Sequence, residues 1–289
     1  MVVKLLNEKC GYVAILGATN AGKSTLLNAI TGAHSAIVSH KVQTTRFQIR
    51  GARNVGDTQV VFIDTPGVFD AKGAFDRRMV SEAWTAMDSA DAVLYLLDAK
   101  KGMTATFARI VDKLRTLGKP IALALNKIDL VRKDSLLELT AKITAAAPDL
   151  FDEVFMVSAA KNDGIDRLLN WAATKMPAAK WLFSAPTPSD LPLEVQLAEL
   201  TREQVYRYLH HELPYMIKVE TDSVETRGNL ALIGQTIYTS DPTHRQIIIG
   251  ARGGKLKEIG TSARMSIEAA LGKKVNLDLR VDVDKNWKS

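Results

Sequence analysis

Residues 17–24, Gly-Ala-Thr-Asn-Ala-Gly-Lys-Ser, decide the fold of this chain. They follow the pattern Gly-x-x-x-x-Gly-Lys-Ser between an apolar strand, residues 12–16, and a helical segment, residues 23–30. The two glycines permit backbone angles that a Cβ would forbid, so consecutive N–H groups can turn inward around a phosphate chain at a helix N-terminus. The stretch predicts a phosphate-binding loop, and by itself it indicates only that a nucleoside triphosphate binds.

The side chains of this loop have distinct expected roles. Lys23 is predicted to reach the β and γ phosphates, and Ser24 to place its hydroxyl on Mg2+. The alternative, a Gly-rich turn with a chance Lys-Ser, is disfavoured by the strand before and the helix after. The residues expected to contact the nucleotide are Gly17, Ala18, Thr19, Asn20, Ala21, Gly22, Lys23, Ser24 and Thr25.

Length and composition indicate an ordinary globular protein of two domains. The chain has 289 residues, of which 46% are hydrophobic and 24% charged. The single cysteine, Cys10, cannot form an internal disulfide, which favours a reducing compartment. No apolar run approaches the roughly 18 residues that span a bilayer. We therefore expect a cytoplasmic protein, or at most one that is peripheral to a membrane. We also expect a monomer.

The net charge of +6 is unevenly distributed along the chain. Residues 1–183 hold 24 Lys and Arg against 18 Asp and Glu, whereas residues 184–289 hold 14 against 14. Global charge therefore does not identify the second part as a binder of polyanions. Local charge points that way, because residues 245–274 hold seven basic residues and two acidic ones.

A second motif, Asp64-Thr65-Pro66-Gly67, follows the predicted strand 59–63. A carboxylate at the carboxyl edge of a parallel sheet can hold a water on Mg2+, and Gly67 lets the backbone approach a γ phosphate. In isolation such a tetrapeptide is typical of a plain turn. Its place at a strand end, 41 residues after Lys23, indicates a nucleotide site instead.

Strands and helices alternate through the rest of the first domain. The predicted strands occupy residues 47–53, 59–63, 92–97, 121–125 and 153–157, the first two half-buried. The predicted helices are amphipathic and occupy residues 74–88, 104–117, 135–146 and 165–174. This pattern predicts an α/β fold with a doubly wound, mostly parallel sheet covered on both faces, which binds ligands beyond the carboxyl ends of its strands.

The motif Asn126-Lys127-Ile-Asp129 predicts which base is bound. Asp129 can accept hydrogen bonds from guanine N1–H and the 2-amino group, a pattern that adenine does not offer. Asn126 is predicted to brace the loop and reach N7, and the stem of Lys127 to lie over the ring. A polar loop before a helix is the alternative. The last strand ends in a stretch where a backbone N–H can meet guanine O6: Ser158, Ala159 and Ala160.

These elements, in this order and spacing, resemble the G domain of the translation-factor class of GTPases over about residues 8–175. The resemblance implies that Thr45 of switch I closes over Mg2+ and the γ phosphate, with Thr44 as the competing choice, and that Asp64 and Gly67 belong to switch II. The expected catalytic residues are then Lys23, Thr45 and Gly67. The expected Mg2+ contacts are Ser24, Thr45 and, through water, Asp64.

One position departs from the Ras-like pattern. Val68 stands where a water-orienting glutamine would follow the Asp-x-x-Gly motif, and a valine cannot hydrogen-bond the attacking water. We therefore expect slow unassisted turnover. Related GTPases with Asn at the position of Asn20 use it to hold K+ in place of an arginine finger, so K+ dependence is a hypothesis here, although Asn also suits a tight loop.

Residues 176–192 contain four of the nine prolines and interrupt the alternation, which predicts a connector. The predicted domains are residues 1–178, a linker over 179–192, and residues 193–289. In the last of these, a helix over 193–210 precedes strands over 215–221 and 229–238, and an apolar run over 246–249 leads into a Gly-x-x-Gly loop. A helix over 255–271 and a strand over 275–283 end the pattern.

The loop Gly250-Ala251-Arg252-Gly253 in this setting resembles that of a KH domain, here of type II. Its backbone N–H groups and Arg252 can grip a strand of phosphates while bases lie in an adjoining apolar groove. A lone Gly-x-x-Gly is typical of a simple turn, but the isoleucines before it and the basic helix start after it favour a smaller α+β domain that binds RNA. The expected RNA contacts are Gly250, Ala251, Arg252, Gly253, Lys255 and Lys257.

The chain resembles the Era family of bacterial GTPases over nearly its whole length. The resemblance rests on a G domain with the motifs Gln43-Thr-Thr-Arg46 and Asp64-Thr-Pro-Gly67, joined to a C-terminal KH domain. The resemblance implies a slow Mg2+-dependent GTPase that cycles between GTP and GDP. It implies binding to RNA near the 3′ end of the small-subunit (16S) rRNA and assistance in 30S assembly. Family members are also reported at the inner face of the plasma membrane.

Two other interpretations stay open from the sequence. The first keeps the G domain and makes residues 190–289 a module that docks on a protein or on the membrane surface, which the zero net charge there favours. The second is an ATP-using metabolic kinase, which the guanine motif at residues 126–129 disfavours.

Overall fold

The computed structural model describes residues 8–32, 49–65, 74–183, 190–209 and 213–284. The chain divides into two compact units, Met1–Asp190 and Leu191–Ser289. Within the described residues, no helix is both long enough and apolar enough to cross a membrane.

Strands and helices alternate in the first unit. Its strands are β1 (Lys9–Gly17), β2 (Ile49–Val55), β3 (Thr58–Asp64), β4 (Ala92–Asp98), β5 (Ile121–Asn126) and β6 (Glu153–Met156). Its helices are α1 (Lys23–Thr31), α2 (Ala74–Ser89), α3 (Phe107–Arg115), α4 (Lys133–Ala146) and α5 (Ile165–Thr174).

The described strands of this unit form one sheet in the order β2-β3-β1-β4-β5-β6. All neighbouring pairs are parallel except β2 with β3, which are antiparallel. Every residue of β3, β4 and β5 is buried, because helices cover both faces. The predicted doubly wound sheet is confirmed. The expectation that β3 is half-buried is wrong, since β3 lies inside the sheet with β1 as its inner neighbour.

The start of the predicted linker lies along the edge of the first unit. Lys9 and Ala178 form an antiparallel bridge. The buried Gln59 of β3 accepts hydrogen bonds from the main-chain N of Leu182 at 2.9 Å and of Phe183 at 3.0 Å, and donates one to Phe183 O at 3.0 Å. The described start of the linker predicted over 179–192 therefore packs on the first unit, and the division between the two units, after Asp190, falls within that linker.

The described residues of the second unit form one sheet and three α-helices. Its elements are α6 (Leu193–Tyr208), β7 (Ile217–Arg227), β8 (Leu230–Thr239), α7 (Pro242–Ile249), α8 (Gly254–Leu271) and β9 (Lys274–Val283). The sheet order is β7-β8-β9, with β7 antiparallel and β9 parallel to β8. The apolar run 246–249 belongs to α7, whose start Asp241 caps by accepting from Thr243 N at 2.6 Å.

Candidate functional site

The phosphate-loop segment connects the end of β1 with the start of α1. Gly22 precedes the helix with φ of +99°, and a Cβ there would lie 2.3 Å from Nδ2 of Asn126. A Cβ on Gly17 would lie 2.5 Å from the carbonyl oxygen of Leu96. Both glycines of the motif are therefore required by close packing, and Gly22 also by its left-handed backbone.

Lys23 is the buried cation of this loop. Its Nζ donates hydrogen bonds to the carbonyl oxygens of Gly17 and Ala18, both at 3.1 Å. Burial lowers the pKa of Lys23 to about 8, and the nearby carboxylate of Asp64 opposes that shift. The ammonium is thus held inside the loop by neutral carbonyl groups. A charged phosphate is a stronger acceptor and can take their place.

Ser24 and Asp64 meet beside that lysine. Ser24 Oγ donates to Asp64 Oδ2 at 2.7 Å, and both residues are buried. The next residue, Thr65, donates from Oγ1 to the carbonyl oxygen of Ile15 at 2.7 Å, which fixes the end of β3 against β1. A hydroxyl and a carboxylate side by side form an all-oxygen donor set of the kind that Mg2+ prefers, so these residues fit the metal.

Asn126 joins three loops at the carboxyl edge of the sheet. Its Nδ2 donates to the carbonyl oxygen of Ala21 at 2.8 Å, and its Oδ1 accepts from the main-chain N of Ala159 at 3.1 Å. The structure thus places the side chain predicted to brace the guanine motif between the phosphate loop and the 158–160 stretch. The predicted contact of Asn126 with N7 stays a prediction.

Asp129 is exposed, with its carboxylate held from one side. Ser158 Oγ donates to Asp129 Oδ1 at 2.6 Å, so the serine orients the carboxylate predicted to recognise guanine. Ser158 and Ala159 are buried and Ala160 is exposed. The sequence predicted a backbone role for this stretch and missed the hydroxyl contact.

Asp98 is a site residue that the sequence analysis missed. Lys127 Nζ donates to Asp98 Oδ2 at 2.7 Å and to the carbonyl oxygen of Asn20 at 2.6 Å. Asp98 ends β4 and is paired in register with Asn126 at the end of β5. The available signal was an apolar strand ending in aspartate, the same feature that singled out Asp64.

Some predicted site residues lie outside the described residues. Their roles stay predictions, and they are Thr44, Thr45, Pro66, Gly67 and Val68.

The Gly-x-x-Gly loop is an exposed turn between α7 and α8. Gly250 has φ of +71°, Arg252 of +51° and Gly253 of +76°. A Cβ on Gly250 would lie 2.7 Å from Cβ of Lys255, whereas one on Gly253 would meet nothing within 4 Å. The turn is therefore packed at its first glycine and open at its last.

Basic side chains surround this turn at the N-terminus of α8. Arg252 and Lys257 are exposed and Lys255 is half-buried. Arg264, by contrast, is engaged within the unit: near the other end of α8, Glu268 accepts from Val275 N at 3.1 Å and from Arg264 at 3.0 Å. Both donors lower the pKa of Glu268. A helix N-terminus beside exposed basic residues is a surface that favours phosphate groups.

Comparisons with known proteins match both units. A family model described as "50S ribosome-binding GTPase" matches residues 12–127, and a KH domain model matches residues 212–288. The chain is 42% identical to GTPase Era of Mesorhizobium japonicum over 96% of this chain and 89% of that protein. It is 44% identical to GTPase Era of Afipia carboxidovorans over 96% of this chain and 90% of that protein.

Solved structures agree with these relatives. Era in complex with MgGDPNP and nucleotides 1506–1542 of 16S ribosomal RNA superposes with a TM-score of 0.89 at 34% identity, over 97% of this chain and 95% of that one. An Era variant of Aquifex aeolicus bound to GDP and AlF4− superposes with a TM-score of 0.88 at 34% identity, over 96% of this chain and 95% of that one. Similarity at this level over nearly the full length shows that the chain belongs to the Era family of GTPases.

Proposed function

We propose that this GTPase uses GTP binding and slow hydrolysis to control its binding to small-subunit rRNA, and that it thereby assists assembly of the 30S particle. The observation that carries the proposal is that one chain has both a phosphate loop beside a guanine motif and a Gly-x-x-Gly turn with exposed basic side chains. The Era structure with both MgGDPNP and a 16S rRNA segment supports it, since it covers 97% of this chain.

In the nucleotide site, each polar side chain has one proposed task. Lys23 exchanges its two carbonyl acceptors for the β and γ phosphates. Mg2+ is held by Ser24 and, through water, by Asp64, and it neutralises charge on the phosphate oxygens. Asp129, oriented by Ser158, accepts from guanine. The Era relative with MgGDPNP supports the metal assignment.

The hydrolysis step is proposed to be slow, with Thr45 and Gly67 closing on the γ phosphate. Val68 supplies no hydrogen bond to the attacking water, so positioning must come from elsewhere. Asn20, in a left-handed conformation with φ of +62°, is the proposed K+ contact. Faster turnover in KCl than in NaCl, lost in Asn20→Ala, is the expected result; equal turnover in the two salts overturns the K+ assignment.

The RNA end of the proposal rests on the turn at residues 250–253. Its exposed backbone and Arg252 face a phosphate strand, and Ile247, 44% exposed on the preceding α7, offers an apolar contact to a base. Lys255 and Lys257 add charge at the N-terminus of α8. No wide aromatic platform is needed for this mode of binding.

One family description names the 50S ribosome, whereas one solved structure contains 16S rRNA, and coverage favours the small subunit. The description that names the 50S ribosome applies to residues 12–127 alone. The structure with 16S rRNA covers both units. We therefore propose the 30S particle as the partner, and cosedimentation with 50S but not 30S subunits would contradict that choice.

The direct experiment is RNA binding by Gly253→Asp, measured with the 3′-terminal segment of 16S rRNA at several salt concentrations. The substitution places a negative charge in the turn where the structure has open space; the φ of +76° there strains the backbone by about 1 kcal/mol, and we expect the fold to be retained. Gly228→Asp is the matched control, because Gly228 has φ of +60°, equally open surroundings and the same change in net charge. We expect affinity to fall steeply with salt and to be lost only in Gly253→Asp. Unchanged RNA binding, with binding of anionic vesicles instead, would favour the membrane-docking alternative.

A further inference from the structure

We propose that Asp98 is a positioning residue for the bound nucleotide, acting by holding Lys127 across the phosphate loop. The inference rests on the proposed binding of guanine nucleotides by this chain. That binding is measured separately, on the unsubstituted protein. Its basis is a linked set of contacts among Asp98, Lys127 and Asn20.

The sheet brings Asp98 to the site. Strands β4 and β5 are parallel and in register at Asp98 and Asn126, so Asp98 lies beside the first residue of the guanine motif. The chain turns sharply after Asn126, because Lys127 adopts a left-handed backbone with φ of +64°. Lysine rarely adopts this conformation, so the surrounding contacts must maintain it.

Two hydrogen bonds then hold the lysine side chain. Nζ donates to Asp98 Oδ2 at 2.7 Å and to the carbonyl oxygen of Asn20 at 2.6 Å. The Asp98 side chain is 7% exposed and that of Lys127 31%. A carboxylate so nearly buried interacts with its ammonium more strongly than an exposed pair does.

Asp98 is itself immobilised by its own turn. Its Oδ1 accepts from the main-chain N of Lys100 at 3.0 Å, and its carbonyl oxygen accepts from Gly102 N at 2.9 Å. One carboxyl oxygen therefore braces the turn and the other is committed to Lys127. The result is a rigid link from the end of β4, through the guanine motif, to the phosphate loop.

This link has a consequence for nucleotide release. The phosphate loop and the guanine motif contact opposite ends of one nucleotide, so a bond between the loops resists their separation. Asn126 supplies a neutral link of this kind to Ala21, and Lys127 with Asp98 supplies a charged one. Loss of the Asp98 charge should therefore speed the departure of GDP.

The test is a double-mutant cycle on the dissociation rate of a fluorescent GDP analogue from the full chain. Asp98→Asn keeps an oxygen to accept from Lys100 N and removes the charge facing Lys127. We expect Asp98→Asn to release GDP roughly 10-fold faster than the unsubstituted chain. In a chain that already carries Lys127→Met, adding Asp98→Asn should speed release by less than about twofold. Dissociation is followed only on molecules that have bound, so a misfolded fraction does not alter the rate.

The matched control is Asp91→Asn. Asp91 immediately precedes the opposite end of β4, where its Oδ2 accepts from Tyr12 N at 2.8 Å, so loss of its charge should leave GDP release unchanged. Asp98→Glu, which restores the charge, should recover part of the original rate. Equal acceleration by Asp98→Asn in both backgrounds would show that Asp98 acts through its turn alone and would overturn the proposal. No acceleration in either background would overturn it as well.

Discussion

Ser158 donates a hydrogen bond from Oγ to Oδ1 of Asp129, with 2.6 Å between the two oxygens. The contact comes from a loop after β6, so the carboxylate assigned to guanine is oriented by a residue that lies 29 positions away. Because a hydroxyl group fixes one oxygen, the edge of the carboxylate presented to the base is set before the nucleotide arrives.

The substitution Asp129→Asn should change the preferred base from guanine to xanthine. An amide at this position offers N–H donors to the 2-oxo group of xanthine and no longer matches the two donors of guanine. Competition of GTP and xanthosine triphosphate against a fluorescent nucleotide measures the preference. Ser158→Ala should weaken GDP binding about fivefold and keep the guanine preference. An unchanged preference in Asp129→Asn would refute the assignment of the base-reading residue.

Gly22→Ala should abolish nucleotide binding, whereas Gly32→Ala should not. Both residues have positive φ, +99° and +72°, so both substitutions strain the backbone by about 1 kcal/mol. Only at Gly22 would the new Cβ also lie 2.3 Å from Asn126 Nδ2; Gly32 has nothing within 4 Å. Calorimetric titration with GDP measures the difference, and equal losses in the two variants would contradict the packing argument.

GDP affinity should fall as pH rises through about 8, since burial lowers the pKa of Lys23 to about 8 in the free protein. Phosphates favour the charged lysine, so its pKa is higher in the complex, and binding takes up a proton at pH values between the free and the bound pKa. Affinity should then decrease by up to about tenfold per pH unit. Calorimetry in buffers of different ionisation enthalpy detects the proton. Absence of uptake at pH 9, or uptake that persists in Lys23→Met, would contradict this assignment.

Gln59→Ala should destabilise the first unit by about 3 kcal/mol, because it removes three hydrogen bonds, worth about 1 kcal/mol each, between the buried Gln59 side chain and the main chain of Leu182 and Phe183. The control is Asn54→Ala, which removes only the 3.2 Å bond from Gln59 Nε2 to Asn54 Oδ1 and should cost under about 1 kcal/mol. Urea unfolding of the full chain measures both. Similar losses would show that the connector contributes little to the stability of this unit.

The parts of the site that were predictable from sequence are those with a local signal. The phosphate loop, Asp64 and the guanine motif each follow an apolar strand, and parallel strands bring their carboxyl ends to one edge. The Asp98–Lys127 contact depends on the register of β4 against β5 and on a left-handed Lys127, which no local pattern specifies.

The contact between the start of the predicted linker and the first unit was missed for a similar reason. Gln59 within an apolar strand gives no sign that it binds a segment more than 120 residues away. The run 246–249 was recognisable as apolar, and the capping pair Asp241-Pro242 was the unused signal for the helix that contains it.

The central claim is that the nucleotide at the first unit controls what the second unit binds. The most direct measurement is the affinity of the full chain for an RNA matching the 3′-terminal segment of 16S rRNA, in Mg2+ with GDPNP, with GDP and with no nucleotide. We predict tighter binding with GDPNP than with GDP, and loss of that binding in Gly253→Asp but not in Gly228→Asp. Equal RNA affinity in all three nucleotide states would contradict the claim.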